Sequence, residues 1–183
     1  LREGLRPIEG DFVSPVDGKL RNFGLIEGSR IEQVKGKTYT LERFLGDPEL
    51  AARYVNGTYF NLYLSPQDYH HIHSPVGGQI VRSVHIPGKL WPVNDWSLAN
   101  VDELFSINER VVTYIDCPLG RVAVVMIGAT NVGKISVTYD SFISNASNVS
   151  TTVARDYDPS IGVQAGERLG TFHMGSSVVV LLE

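Results

Sequence analysis

Short runs of β-branched and aromatic residues recur along this chain, and each is bounded by glycine, proline, asparagine or aspartate. Such runs are typical of strands joined by turns, which limits the fold to one built mainly from sheet. We therefore expect a mainly β fold: a single compact β-barrel or sandwich-like domain with a small helical insertion. The predicted strands are Lys19–Ile26, Arg30–Val34, Thr58–Leu64, Gln79–Ile86, Arg110–Asp116, Arg121–Ile127 and Lys134–Tyr139.

One segment predicts a helix instead. Thr40–Tyr54 is rich in leucine, alanine and charged residues, and Thr40 is a suitable N-cap. We expect a break at Gly46 and a restart at Pro48, since proline is tolerated in the first turn of a helix. A second, shorter helical turn is expected at Val101–Phe105.

Length and composition exclude several classes of protein. The 183 residues predict one domain over the whole chain, and a net charge of -4 without a Lys/Arg run argues against nucleic acid as a partner. The single cysteine, Cys117, excludes an internal disulfide. The longest apolar runs, Val122–Ile127 and Val178–Leu182, are far shorter than the roughly 20 residues that cross a bilayer. Because the first residue is Leu1 rather than Met, we expect the chain to be cut from something longer.

Three of the five histidines lie between Tyr69 and Pro75. On a strand, His71 and His73 share one face, whereas on a turn His70 and His73 converge. Three interpretations stay open: histidines packed against Tyr69 and Pro75, a metal site, and acid–base chemistry. A zinc ion usually takes three or four protein ligands, and no matching cluster of Cys, Asp or Glu lies nearby in sequence.

Two further segments complete a candidate catalytic set. Asp17 precedes Gly18 at the entrance to a predicted strand, a pattern typical of a turn. Gly175-Ser176 interrupts a strand-like pattern near the chain end, which usually indicates a bulge or a turn. With the histidines, these residues supply a nucleophilic serine, its base and a carboxylate that orients the base. Because the G-x-S-x-G elbow of many hydrolases is missing here, attack by Ser176 on its own backbone is a second interpretation.

In the order and spacing of its motifs, the chain resembles the phosphatidylserine decarboxylase family. The resemblance runs from Asp11 to Leu182, and its specificity comes from the combined order of motifs that are weak alone. The family's cleavage motif is often Leu-Gly-Ser-Thr, whereas this chain has Met-Gly-Ser-Ser. The motifs are SPVDG at 14–18, YLSPQDYHHIHSP at 63–75, PGKL at 87–90, LFSINERVV at 104–112, GA at 128–129 with VGKI at 132–135, and MGSS at 174–177.

The resemblance implies a proenzyme that cuts itself between Gly175 and Ser176. Ser176 then becomes a covalent pyruvoyl group at the start of a short C-terminal fragment. His73, oriented by Asp17, would take the Ser176 hydroxyl proton for the attack. The pyruvoyl ketone would act as the electron sink that converts phosphatidylserine to phosphatidylethanolamine, with no metal ion required. His70 or His73 would return a proton to the product, and we favour His70.

The resemblance also implies partners and a location. We expect a homodimer that associates peripherally with the cytoplasmic face of the cell membrane. We also expect the membrane-associating N-terminal extension of the family to be absent here, so that this chain by itself is soluble. Two other functions stay open: a non-catalytic β-barrel binding module, and a serine hydrolase that uses Asp17, His73 and Ser176 on an external ester.

Two smaller segments carry open interpretations. Trp91 and Trp96 belong either to an acyl-chain entrance or lipid headgroup contact, or to a tryptophan pair that covers the core. Asn108-Glu109-Arg110 could pair with a phosphate or with a neighbouring subunit, but we favour a salt bridge at a strand edge. No partner for His85 is evident from the sequence.

Overall fold

The computed structural model describes residues 6–130, 134–144, 150–173 and 176–183, with Ser176 described by its backbone. These parts of the chain form mostly antiparallel strands, interrupted by short helices. The helices are α1 (Leu41–Leu45), α2 (Pro48–Ala52), α3 (Asp95–Asn100) and α4 (Leu104–Ile107). The strands are β1 (Lys19–Leu25), β2 (Arg30–Val34), β3 (Lys37–Thr40), β4 (Thr58–Leu64), β5 (His71–His73), β6 (Gly78–Ile86), β7 (Arg110–Cys117), β8 (Gly120–Ile127), β9 (Ile135–Val137), β10 (Val153–Val163), β11 (Arg168–Phe172) and β12 (Ser176–Leu182).

Seven strands form one antiparallel sheet in the order β1-β4-β12-β8-β7-β6-β10. The last strand of the chain, β12, lies at its centre and pairs with β4 on one side and β8 on the other. Strands β1 and β10 are the two edges, and within the described residues they do not pair with each other. The mainly β prediction is therefore confirmed, but the closed-barrel alternative is wrong because the large sheet stays open.

Both faces of the large sheet are covered. On one face, Val179 of β12 belongs to the same apolar cluster as Tyr39 and Phe44, which come from the small hairpin β2–β3 and from α1. On the other face, Val178 packs with a three-stranded sheet of order β5-β11-β9, which contributes Ile72. This two-sided burial explains why the central strands read as continuous apolar runs instead of alternating.

The predicted helical insertion is confirmed in detail. The Thr40 hydroxyl accepts from the amide of Arg43 and caps α1, and Gly46 ends α1 in the left-handed region at φ +68°. Asp47 caps α2, which restarts at Pro48 as expected. The second predicted turn is misplaced: Val101–Phe105 overlaps only the first residues of α4. Sequence reasoning missed α3, although its N-cap Asn94 is a standard start signal.

Among the described strands that the predicted list leaves out, β3, β5 and β11 are short, β10 lies at an edge, and β12 was noted only as part of the strand-like pattern around Gly175-Ser176. β3 has four residues and β5 has three, too few to show a period. β10 has eleven residues, most of them exposed, because it pairs only with β6. An edge strand that buries little surface carries few apolar residues, so its sequence is typical of a loop.

Candidate active site

Ser176 opens the central strand of the large sheet. Its backbone pairs with Leu64, the last residue of β4, and the neighbouring residue Tyr63 pairs with Lys19 at the start of β1. The turn that carries Asp17 therefore lies at the same end of the sheet, two strand spacings or about 10 Å from β12. The sheet register thus brings two of the predicted residues to one edge of the molecule.

The predicted cleavage site is located through the backbone of Ser176 alone. Met174, Gly175 and the Ser176 side chain lie outside the described residues. The fold defines the position of β12, which follows the predicted cleavage site, and the positions of the neighbouring segments at the start of β12.

The histidine segment is connected directly to this end of the sheet. After β4 the chain makes a tight turn, in which the Ser65 amide donates to Asp68 Oδ2 at 2.7 Å. β5 then pairs with β11, and the Phe172 amide donates to the His70 carbonyl at 2.9 Å. The histidines therefore lie between the strand that pairs with Ser176 and the strand that precedes Ser176 in sequence.

A main-chain carbonyl fixes the tautomer of His73. Its Nδ1 lies 2.7 Å from the Gly166 carbonyl oxygen, which can only accept, so Nδ1 carries a proton and donates it. In the neutral ring, Nε2 then keeps its lone pair, and the Tyr69 hydroxyl donates to it at 3.2 Å. An imidazole oriented in this way, with one nitrogen left as an acceptor, is the form that a general base needs.

His70 is oriented by the same kind of contact. Its Nδ1 donates to the Asp68 carbonyl at 2.5 Å. Its Nε2 is buried and has no hydrogen-bond partner among the described residues. Leaving a buried polar atom unpaired costs roughly 1–3 kcal/mol, which is typical of a position reserved for a ligand or a reacting group.

Tyr69 packs against two histidines, as one of the three interpretations expected. Its ring lies 4.9 Å from the ring of His71 and 5.7 Å from that of His73. These two histidines share one face of β5, as predicted for a strand, while Ile72 belongs to the core. His71 Nδ1 is hydrogen-bonded to Thr171 Oγ1 at 2.8 Å, and burial lowers the pKa of His71. His71 is therefore held by a partner of its own on the facing strand.

Asp17 forms no hydrogen bond with His73 in the described part of the chain. Its carboxylate pairs with Arg6, and both side chains are about half exposed. The Arg6 guanidinium also lies 5.2 Å from the centre of the Tyr69 ring. Burial raises the pKa of Tyr69, Arg6 opposes this shift, and Asp17 adds to it. The link from Asp17 to His73 runs through this cluster, and the expected orienting role of Asp17 stays a prediction.

The expected strand-edge position of Asn108-Glu109-Arg110 is wrong, because β7, which begins at Arg110, pairs with β6 on one side and β8 on the other. Arg110 is buried and donates to the carbonyls of Phe44 at 2.6 Å and Asn108 at 2.7 Å. Glu109 instead contacts His85, with 2.9 Å between Oε1 and Nε2, and both side chains are buried. The reason is tertiary: the end of α1 covers Arg110, and the register of β6 with β7 brings His85 close to Glu109. Neither contact leaves a signal in the local sequence.

Two general properties of the described chain complete the site. No group of three or more His, Cys, Asp or Glu side chains in residues 6–130, 134–144, 150–173 and 176–183 is arranged to hold a metal ion. Over the same residues, no helix combines the length and the apolar composition needed to span a bilayer.

The fold and the site together define a class. This is a mainly β protein in which two carbonyl-oriented imidazoles follow the strand whose end pairs with Ser176, the first residue of the central strand of an open sheet.

Comparison with known proteins identifies the family. Residues 1–183 match the family model described as phosphatidylserine decarboxylase. The chain is 46% identical over 187 residues to the phosphatidylserine decarboxylase proenzyme of Anaeromyxobacter sp. (strain K), and 42% identical over 186 residues to that of Myxococcus xanthus (strain DK1622). Each alignment covers 100% of this chain and 66% of the relative, so the chain spans just under two thirds of those proteins. The chain belongs to the phosphatidylserine decarboxylase family.

We expect Gly166→Ala to release His73 from its single tautomer. Gly166 has φ +78°, a region that favours glycine, and an added Cβ would lie 2.5 Å from Ile8 Cδ1. The substitution should turn the Gly166 carbonyl away from His73 Nδ1 and destabilise the fold by about 1–2 kcal/mol. Nitrogen-15 NMR of the His73 ring should show protonated Nδ1 in the native chain and mixed tautomers in the variant.

Gly36→Ala is the matched control for this substitution. Gly36 has φ +83°, and nothing lies within 4 Å of the position of an added Cβ. It therefore introduces similar backbone strain away from the histidines, and the His73 ring signals should stay as in the native chain. An unchanged His73 tautomer in Gly166→Ala would show that the Gly166 carbonyl does not orient the ring.

Proposed function

We propose that this chain is the catalytic domain of a pyruvoyl-dependent decarboxylase that converts phosphatidylserine to phosphatidylethanolamine. The observation that carries the proposal is the register of β12, which starts at Ser176 beside the strand leading into His70 and His73. Relatives named phosphatidylserine decarboxylase proenzyme align with the whole of this chain. The word proenzyme in those names supports a first step in which the chain is processed.

The first proposed step is cleavage between Gly175 and Ser176. His73 Nε2 takes the hydroxyl proton of Ser176, and the oxygen attacks the carbonyl carbon of Gly175. The peptide C–N bond breaks, its nitrogen gains a proton, and an ester now joins the two residues. Loss of the Ser176 α-proton then breaks the ester bond at the serine side, which frees the Gly175 carboxylate and leaves dehydroalanine. Water converts dehydroalanine to a pyruvoyl group and ammonia.

The contacts of His73 support its role as the base in that step. The Nδ1 bond to the Gly166 carbonyl at 2.7 Å keeps the ring in place while Nε2 gains a proton. The same carbonyl stabilises the positive ring, because a carbonyl oxygen accepts more strongly from a charged donor. For the reaction, the Ser176 hydroxyl takes the place of the Tyr69 hydroxyl that now lies 3.2 Å from Nε2.

The surroundings of His70 fit a carbonyl-bearing group at position 176. The buried His70 Nε2 has no hydrogen-bond partner among the described residues. Because an unpaired buried nitrogen is costly, a polar group at position 176 could serve as its hydrogen-bond partner. Once formed, the pyruvoyl group supplies a ketone that binds the substrate amine and accepts the electrons released as carbon dioxide leaves. His70 holds a proton at Nε2 and delivers it to the carbon that lost carbon dioxide, while the Asp68 carbonyl fixes the ring.

Self-cleavage accounts for the position of Ser176 better than hydrolysis of an external ester does. A hydrolase presents its serine on an exposed, sharp turn so that substrate reaches the hydroxyl. Ser176 instead begins a strand that has a partner on each side. A non-catalytic binding module would not need an unpaired, buried imidazole nitrogen such as His70 Nε2.

We further propose that the protein acts as a homodimer, peripherally bound at the cytoplasmic face of the cell membrane. Family membership and the lipid nature of the substrate support this assignment. The net charge of -4 gives the chain no general attraction to anionic lipid. Any contact that these 183 residues make with the membrane therefore has to come from a local surface.

Ser176→Ala removes the attacking hydroxyl and the source of the pyruvoyl group. We expect the variant to stay as one chain by intact mass and to release no carbon dioxide from phosphatidylserine. The native chain should lose a C-terminal fragment that starts at residue 176 with a blocked N-terminus. Ser160→Ala, at an exposed position of β10, is the control and should process normally. An active, unbroken native chain would overturn the proposal.

Asp17→Asn should slow self-cleavage by roughly fivefold. A half-exposed carboxylate that acts through neighbours stabilises the charge developing on His73 by only about 1 kcal/mol. The rate is measured from the fraction of cleaved chain against time. Asp102→Asn, an exposed carboxylate that pairs with Lys37, should leave the rate unchanged. Equal rates for the Asp17 variant and the native chain would remove Asp17 from the catalytic set.

His70→Ala should separate processing from turnover. We expect cleavage at Ser176 to proceed and decarboxylation to fall by roughly 100- to 10,000-fold, the usual contribution of a general acid. His71→Ala should retain both steps, since His71 already has a partner in Thr171. A block in cleavage for the His70 variant would instead assign His70 as the base for Ser176.

A further inference from the structure

The segment after β6 crosses the end of the large sheet where Ser176 lies. Asn108 ties this segment down: its side chain accepts from the Trp91 amide at 3.0 Å and donates to the Trp91 carbonyl at 2.8 Å. The same side chain donates to the Gly128 carbonyl at 2.9 Å. In the register of β12 with β8, Gly128 follows directly beside Ser176. The main chain of Trp91 is thus fixed one strand away from the proposed cleavage site.

The other end of the segment is fixed on the opposite side of Ser176. Arg21 of β1 pairs with Asp95, and it also donates to the Val93 carbonyl at 3.4 Å. In the sheet order, β1 lies two strands from β12 on the side away from β8. The stretch from Trp91 to Asp95 is therefore anchored near the end of β8 and near the start of β1, on either side of the start of β12, and Val93 within it is buried in the cluster that contains Val179.

This segment exposes both tryptophans of the chain. Trp96 is 68% exposed and Trp91 is 38% exposed, so the interpretation that they cover the core is wrong. Between them lie the polar, exposed residues Asn94 and Asp95. Lys89, just before Trp91, is also exposed and makes no ion pair within the described residues. Two exposed indole rings and a free cation are a composition that suits a lipid headgroup layer.

We propose that residues 89–96, which carry Lys89, Trp91 and Trp96 and end in the first turn of α3, form a membrane-contact loop that inserts into the headgroup region of an anionic phospholipid bilayer. The indoles supply amphipathic anchors, and the lysine supplies electrostatic attraction to a negatively charged surface. Because the loop is anchored on either side of the start of β12, its insertion brings the Ser176 end of the sheet to the lipid surface. This inference rests on the proposed function, in which the substrate is a bilayer lipid, and adds which surface of the chain meets the bilayer.

A bilayer fits this loop better than a second copy of the chain does. A stable protein interface buries about 800 Å² on each partner around an apolar centre. Here the two indoles are separated by polar, exposed side chains, Asn94 and Asp95. Indole rings that are separated by polar side chains suit the headgroup region of a bilayer, where apolar and polar groups lie side by side.

The test uses the intrinsic fluorescence of the 183-residue chain. Since Trp91 and Trp96 are its only tryptophans, all tryptophan emission reports on this loop. Vesicles of phosphatidylserine and phosphatidylcholine are added, with and without brominated phosphatidylcholine. We expect a blue shift of the emission and quenching by the brominated lipid. The single-tryptophan variants Trp91→Phe and Trp96→Phe should both show quenching, stronger for the more exposed Trp96.

Sedimentation with the same vesicles measures affinity. Trp96→Ser should weaken binding by about tenfold, and Lys89→Glu should weaken binding to phosphatidylserine vesicles more than to pure phosphatidylcholine vesicles. Leu119→Ser is the matched control, because Leu119 is 49% exposed at the opposite end of the β7–β8 hairpin. It should bind as the native chain does. Circular dichroism confirms that each variant is folded.

Two results would overturn the inference. One is unquenched emission in the presence of vesicles that do bind the chain. The other is a blue shift without vesicles that depends on protein concentration, which would assign the loop to self-association.

Ser176→Ala keeps this test separate from the proposed function: it should lose decarboxylation and still bind vesicles with native quenching. If the native chain decarboxylates dispersed lipid at the normal rate but its tryptophan emission is not quenched by brominated lipid, the loop assignment is wrong and the proposed activity still stands.

Discussion

The structure depends on the pairing of β12 with strands on both of its sides. Val178, Val179, Val180 and Leu181 are fully buried in the middle of the sheet. Burial of each such side chain contributes roughly 1.5–3 kcal/mol, and the ladders to β4 and β8 satisfy the backbone. A strand held in this way does not need the peptide bond before it. Pairing on both sides would therefore hold β12 in the sheet after the proposed cut at Ser176.

The proposed chemistry depends on main-chain carbonyls that orient imidazole rings. His70 and His73 each donate from Nδ1 to a carbonyl, of Asp68 and of Gly166 respectively. This common arrangement leaves both Nε2 atoms available, but their surroundings differ. His73 Nε2 has an exchangeable hydroxyl partner in Tyr69, whereas His70 Nε2 is buried without one. This difference is the reason for proposing His73 as the base for an incoming hydroxyl and His70 as the contact for a bound group.

Sequence patterns predicted the parts of this fold that are set by local chemistry. Thr58–Leu64 and Arg30–Val34 have the predicted bounds because turn residues delimit apolar runs there. The Gly166 carbonyl was not predictable, since any residue offers a carbonyl and only the turn geometry aims it. The contact of His85 with Glu109 was missed for a related reason, as it depends on the register of β6 with β7. The order of motifs in the sequence was enough to predict the candidate site residues. Their positions in space depend on the sheet topology, which the sequence did not predict.

Antiparallel topology explains why distant parts of the sequence meet at one edge. In such a sheet the start of each strand lies beside the end of its neighbour. The start of β12 is therefore flanked by the ends of β4 and β8, and the starts of β1 and β7 follow outward. The connections that leave these ends are the Asp17 turn, the histidine segment and the segment with Trp91. The residues proposed for cleavage, for proton transfer and for membrane contact thus share one edge because strand direction alternates. A change of register by one residue in β12 would invert the faces of its side chains and move Val178 out of the apolar cluster that contains Ile72 of the histidine segment.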